Sequence, residues 1–126
     1  MIEYYCKVNE APKKIEIKGN KMRVIYVAGK YTGNSDWETY NNIHHAKVEA
    51  RKLWNTGWAT ICPHANSAFF GGEGSHEVDR MKWLEGDFEF IRRSDAIFML
   101  SNYRESQGAL EELKLAQELG LEVYYE

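Results

Sequence analysis

Residues 22–28 read MRVIYVA, a run that is β-branched and aromatic and carries no charge after Arg23. Such a run suits a strand covered on both faces, the situation of a strand inside a parallel sheet. Helices must then lie on each side of that sheet. Residues 58–62 (WATIC), 95–100 (DAIFML) and 122–125 (EVYY) read as three further strands. Between them, apolar residues recur at three- and four-residue steps. In the first such stretch Ile43, Ala46, Ala50, Leu53 and Trp54 share one face, with Lys47, Glu49, Arg51 and Lys52 largely elsewhere. Asn34 or Ser35 caps its start and Gly57 closes it. In the second, over residues 77–93, Met81, Leu84, Phe88 and Ile91 recur, with a break expected near Gly86. The third opens at Ser106 and Gly108, turns Leu113 and Ala116 inward, and stops at Gly120. The order predicts an α/β fold: a three-layer sandwich around a mostly parallel, flavodoxin- or Rossmann-like sheet of four or five strands, joined by right-handed crossovers.

The chain's 126 residues fit one domain. Residues 1–21 read as an N-terminal extension, in which the alternating KIEIK at 14–18 forms a possible edge strand before a turn at Gly19-Asn20, and residues 22–126 as the core. Nineteen acidic against 16 basic side chains give a formal charge of -3, which excludes the positive sheath that a nucleic-acid polymer demands. No window holds the roughly eighteen apolar residues of a membrane helix. The first residues lack the basic-then-apolar order of a signal peptide, so the chain is expected in the cytoplasm, away from membranes. Cys6 and Cys62 form no CxxC and are expected as reduced thiols.

In an open parallel sheet, ligands bind beyond the carboxyl ends of the strands, where strand order reverses. That rule selects residues 29–35, 63–75 and 101–108, together with the starts of the helices that follow. The segment 63–75 (PHANSAFFGGEGS) carries Gly71, Gly72 and Gly74 and reads as a mobile loop. Its His64, Asn66, Phe69 and Phe70 could stack on and read a base, or pack as a lid. Ser106 and Gly108 open a helix whose free amides favour an anion such as phosphate. Glu112 follows four residues after Gly108, and beside free amides it is expected to stay ionised, as a nucleophile needs. With Asp87 as a second carboxyl group, the pair has the makings of a glycosidase. From spacing alone, a solvated helix glutamate and a surface aspartate remain the plain alternatives.

Three segments in this order resemble the nucleoside 2-deoxyribosyltransferase-like superfamily: Tyr26-Val-Ala-Gly-Lys30, Asp87-Phe-Glu-Phe-Ile-Arg-Arg-Ser-Asp95, and Ser106-x-Gly108-Ala-x-x-Glu112-Leu-x-x-Ala116. The resemblance runs from about residue 23 to 125 and is closest to the 2′-deoxynucleoside 5′-phosphate N-hydrolase branch. It implies an N-glycosidase in which Glu112 attacks the sugar, Asp87 donates a proton to the leaving base, and Tyr26 orients the nucleophile. It implies substrate contacts from Gly29, Lys30, Thr32, His64, Asn66, Ser106 and Gly108, no cofactor and no metal. Base-exchange members carry an aspartate six residues before the nucleophile. Ser106 stands there instead, as in the monophosphate-hydrolysing branch, which favours a 5′-phosphate. The chain departs from the superfamily in three places. The hydrolase branch's serine-and-arginine loop is missing, Lys114 replaces a glycine after Glu112-Leu113, and the sequence ends at its last strand where base-exchange members add a segment to the site. The expected ligand is therefore a nucleoside or nucleoside 5′-monophosphate, and a homodimer is expected, since relatives complete their sites across one.

Three other readings compete. Base exchange uses the same residues with a second base in place of water. A non-catalytic nucleotide-binding module could use the same fold. Cys62, His64, His76, His44 and His45 supply zinc-type ligands on paper, but no HExxH or paired CxxC spacing supports a zinc site. Nor does residues 29–33 (GKYTG) match the dinucleotide-binding GxGxxG.

Overall fold

The computed structural model of the chain describes residues 6–7, 21–68, 70 and 80–126. Their elements are β1 (Cys6–Lys7), β2 (Val24–Ala28), α1 (Asp36–Asn55), β3 (Ala59–Ile61), α2 (Pro63–Asn66), α3 (Arg80–Arg92), β4 (Ala96–Met99), α4 (Gln107–Glu118) and β5 (Glu122–Tyr125), with a 3-10 turn at Tyr103–Glu105. The strands form one sheet in the order β1-β5-β4-β2-β3. β2, β3, β4 and β5 run parallel, and β1 adds an antiparallel edge with Cys6 opposite Tyr125. The expected α/β fold with a mostly parallel sheet is therefore observed, and an N-terminal edge strand exists at residues 6–7. Residues 14–20, where KIEIK and its turn were expected, lie outside the described residues.

Alternation along the buried strands divides the core into two layers. Ile25 and Val27 of β2, with Ala96 and Phe98 of β4, pack against Ala46, Ala50 and Leu53 of α1. Tyr26 and Ala28, with Ile97 and Met99, face Ile91 of α3 and Ala109 and Ala116 of α4. Period-two side chains on a sheet covered by helices on both faces produce this split. Within α1 the predicted face needs two corrections. Trp54 is exposed, whereas Glu49 is buried and pairs with Lys52 at 2.8 Å. Glu49 lies one turn after Ala46 and four residues before Leu53, which puts it beside the apolar stripe, while Trp54 has rotated past its edge. In α3 the expected break at Gly86 does not occur; the helix is continuous there. Met81 at its start is exposed.

The amino ends of the strands are locked by specific pairs. Asp95 accepts a hydrogen bond from the Val24 amide at 2.8 Å, and its own amide donates to the Val24 carbonyl. Arg23 reaches Glu122 at 2.7 Å and lies over the Trp58 ring. These contacts leave the opposite, carboxyl ends to shape a cavity. Chain order also reverses there: β3 and β4 lie on opposite sides of β2. This is the switch point at which open α/β sheets bind ligands.

Two glycines respond oppositely to a methyl group. A Cβ on Gly29 would stand 2.5 to 2.9 Å from three atoms of the fully buried Leu100, whereas one on Gly86 meets nothing within 4 Å. Gly29→Ala is expected to cost roughly 1 to 3 kcal/mol through overpacking. Gly86→Ala is expected to stabilise α3 by about 0.5 to 1 kcal/mol. Denaturant unfolding checks both; shifts of the same sign would contradict the close approach of Gly29 to Leu100.

Candidate active site

The cavity at the switch point has a volume of about 740 Å³. Its floor is built from β2 and α4. Tyr26 belongs to the strand face turned toward α3 and α4, and its side chain is wholly buried. On α4 the buried residues are Ala109, Glu112 and Ala116, a three-then-four spacing that forms one helical stripe. Glu112 thus occupies a core position between two alanines, only 8% exposed. The Tyr26 hydroxyl donates a hydrogen bond to its Oε2. Asp87, from the middle of α3, completes the trio on the cavity wall. The structure therefore brings together all three residues expected to be catalytic.

Burial sets the protonation of this trio. It pushes the Glu112 carboxyl up to about 8, with the Tyr26 hydrogen bond pulling the other way and the charges of Asp87 and Glu111 adding to the rise. Burial also raises Asp87 to about 6, again offset by Tyr26. The Tyr26 phenol moves well above its ordinary value, through burial first and then the Glu112 charge, and stays neutral. Burial overturns the expectation that Glu112 is ionised at neutral pH. Six residues separate it from the helix cap Ser106, about 9 Å of rise, and the Ser106 Oγ already accepts the Ala109 amide at 3.1 Å. Among the described residues, no backbone amide is hydrogen-bonded to the carboxyl to compensate its charge. As a coupled pair, Asp87 and Glu112 keep one proton between them across neutral pH.

The remaining predicted residues divide. Gly29, Lys30, Thr32, His64, Ser106 and Gly108 all line the cavity. Asn66 does not: it is exposed on α2, whose Pro63 and His64, with the following Ser67, line the cavity instead. The residues expected as the start of a loop wind into this short helix, and that turns Asn66 away. His64 is held through one ring nitrogen, while its buried Nδ1 has no hydrogen-bond partner among the described residues. It is 5% exposed, and its Nε2 lies 3.1 Å from the Lys30 carbonyl, so it ties α2 to the end of β2. Burial lowers its pKa, so the ring is neutral and donates to that carbonyl. Lys30 is held between Glu38 and Glu105, at 3.1 and 3.2 Å. Residues 71–79, with the three loop glycines and His76, and Phe69 lie outside the described residues. Among the described residues, no group of three or more His, Cys, Asp or Glu could hold a metal ion.

Several lining residues escaped sequence reasoning, chiefly Trp83, Leu84, Tyr31 and Glu105. Trp83 and Leu84 stand four and three residues before Asp87, so helical spacing puts them on its face; that signal was present in the sequence. Phe70 packs on Trp83 with ring centres 6.1 Å apart. Tyr31 meets His64 at 6.0 Å. The cavity thus offers aromatic walls above a floor of hydrogen-bonded acids.

Fold and site together define a Rossmann-like parallel α/β domain with a buried tyrosine and two carboxyl groups in a cavity at its switch point. The chain belongs to the DUF4406 family, described as a domain of unknown function, which it matches over residues 23–125. No curated protein matches it. No helix among the described residues is long and apolar enough to cross a membrane.

Glu112 links the site to stability. Folded, it keeps its proton up to about pH 8; its ordinary value is 4.5. Between these values the folded chain binds more protons than the unfolded one, so stability falls as pH rises through that window. At about 1.4 kcal/mol per unit, and allowing for relaxation around a buried charge, the loss is roughly 2 to 4 kcal/mol. Glu112→Gln is expected to remove that part of the slope and to raise the unfolding temperature at pH 8.5 more than at pH 4.5. Calorimetric scans across this range check it, and parallel profiles for the two proteins would contradict it.

Proposed function

We propose that this protein is a nucleoside or nucleoside 5′-monophosphate N-glycosidase of the nucleoside 2-deoxyribosyltransferase-like superfamily, working in the cytoplasm as a homodimer. The observation that carries this reading is the carboxyl of Glu112, buried at the cavity floor on the Tyr26 hydroxyl with Asp87 beside it. A buried pair that retains one proton supplies what glycosidic cleavage needs, an acid and a nucleophile. The cavity is of a size that small-molecule sites commonly have, and Trp83 and Tyr31 give it surfaces against which a base can lie.

In the proposed reaction the proton first resides on Asp87. A bound base covers this carboxyl from water, which raises its pKa further, while the developing positive charge on the sugar favours an anionic Glu112. Glu112 then forms an ester bond to C1′ as the C1′–N bond breaks, and the departing nitrogen takes the Asp87 proton. In the second half Asp87 accepts a proton from water as the water oxygen attacks C1′. The ester bond breaks, and the Glu112 carboxylate and free sugar are restored. Tyr26 holds Glu112 in place throughout by donating to it. In base exchange a second base takes the place of that water. A non-catalytic module would use the cavity without the ester.

Two outcomes are expected. Base release from a panel of nucleosides and monophosphates, followed by chromatography, should fall roughly a thousandfold or more in Glu112→Ala and about 100-fold to 10,000-fold in Asp87→Asn. Release that survives Glu112→Ala contradicts the mechanism. The profile of kcat/KM against pH should be bell-shaped, its limbs set by the pair at about 6 and about 8. Activity rising without limit above pH 9 would remove Glu112 and Asp87 as the coupled pair.

A further inference from the structure

Charge at the cavity rim runs against a phosphate. Among the described lining residues, Lys30 stands against the carboxylates of Asp36 and Glu105 and, deeper on the wall and floor, the Asp87–Glu112 pair that shares one proton. Lys30 itself is engaged twice, by Glu38 at 3.1 Å and by Glu105 at 3.2 Å. Both partners hold it in its charged form, so the ion pairs persist at neutral pH. The buried His64 is neutral and adds no positive charge. The natural cradle for a phosphate is the start of α4, yet the residue immediately before its cap is Glu105, and the Ser106 Oγ accepts the Ala109 amide. A phosphate seated there would place about two negative charges beside the Glu105 carboxylate. Lys30, the one lysine among the described lining residues, would have to abandon its existing partners.

Resting on the glycosidase reading, we propose that the cavity selects an uncharged nucleoside over its 5′-monophosphate, and that Glu105 is the residue that turns the phosphate away. Glu105 acts in two ways: its own charge repels a phosphate, and it occupies the Lys30 ammonium that would otherwise receive one. Its side chain is 64% exposed and Lys30 remains paired to Glu38 without it, so its replacement leaves the packed core untouched. The hydroxymethyl end of an uncharged sugar meets no such opposition, and the carboxylates at the rim can accept its hydrogen bond.

The test compares affinities of the full chain for 2′-deoxynucleosides and for the matching 5′-monophosphates by calorimetry, with base release followed in parallel. The unaltered protein is expected to bind the nucleoside at least tenfold more tightly. Glu105→Gln should narrow that ratio by tenfold or more, and Lys30→Met in the Glu105→Gln background should restore most of it, because the freed ammonium is then gone. Raising salt should also narrow the ratio in the unaltered protein more than in Glu105→Gln, since screening weakens charge repulsion. A monophosphate bound as tightly as the nucleoside, or a ratio unmoved by Glu105→Gln, overturns the proposal. Preferential nucleoside binding with no base released sustains this selectivity while removing the glycosidase reaction. Absence of binding by either ligand overturns both.

Discussion

The hydrogen bond from Tyr26 to Glu112 is the contact on which the carboxyl end of this fold turns. A carboxyl group costs several kcal/mol to bury when charged and unpaired, so its position in a helix core stripe must be compensated locally. The compensation comes from three directions. β2 must present Tyr26 to the side of α3 and α4, and the alternation that sends Ile25 and Val27 toward α1 does so. The Ser106 cap fixes where α4 begins and hence its rotational phase. A shift of one residue would rotate the helix by about 100° and bring Glu111 or Leu113 to the tyrosine. Asp87 arrives from the neighbouring helix, and the resulting pair holds its proton.

Much of this was legible from residue spacing. Buried strands showed as short uncharged runs, and the order of strands and helices predicted the layers. The β2 reversal could be named as a site because ligand position in such sheets follows topology. Other features are not written in local sequence. Trp54 and Glu49 lie at the border of the α1 stripe, where a small rotation decides which is buried. Asn66 was misplaced because Pro63 starts a helical turn instead of extending a loop, and its neighbours Pro63 and Ser67 took the inward side. The protonation of Glu112 was misjudged for a different reason. Proximity in sequence to a helix start suggests stabilising amides, but a turn and a half of helix separates them. Glu105 was overlooked because an exposed glutamate in a turn has no pattern; only the meeting with Lys30, 75 residues earlier, gives it meaning.

The two ends of the sheet carry opposite kinds of electrostatics. At the amino ends each charge has a partner: Asp95 accepts from a backbone amide, and Arg23 finds both Glu122 and an aromatic face. At the carboxyl ends, negative charge is left in excess and partly withdrawn from water. The first arrangement, part-buried, fixes the register between strands. The second costs the fold stability at the candidate site, the kind of trade that functional sites commonly make.

The short antiparallel β1 alters how the sheet meets its surroundings. By lying on β5 it covers one flank of the sheet, leaving the three-residue β3 as the other flank. Unpaired strand flanks are templates for unwanted pairing and aggregation. Here the remaining template is short, and Pro63 follows just after it with no amide to offer. Among the described residues the outer strands of the sheet are the two-residue β1 and the three-residue β3, which together offer little backbone for pairing between copies.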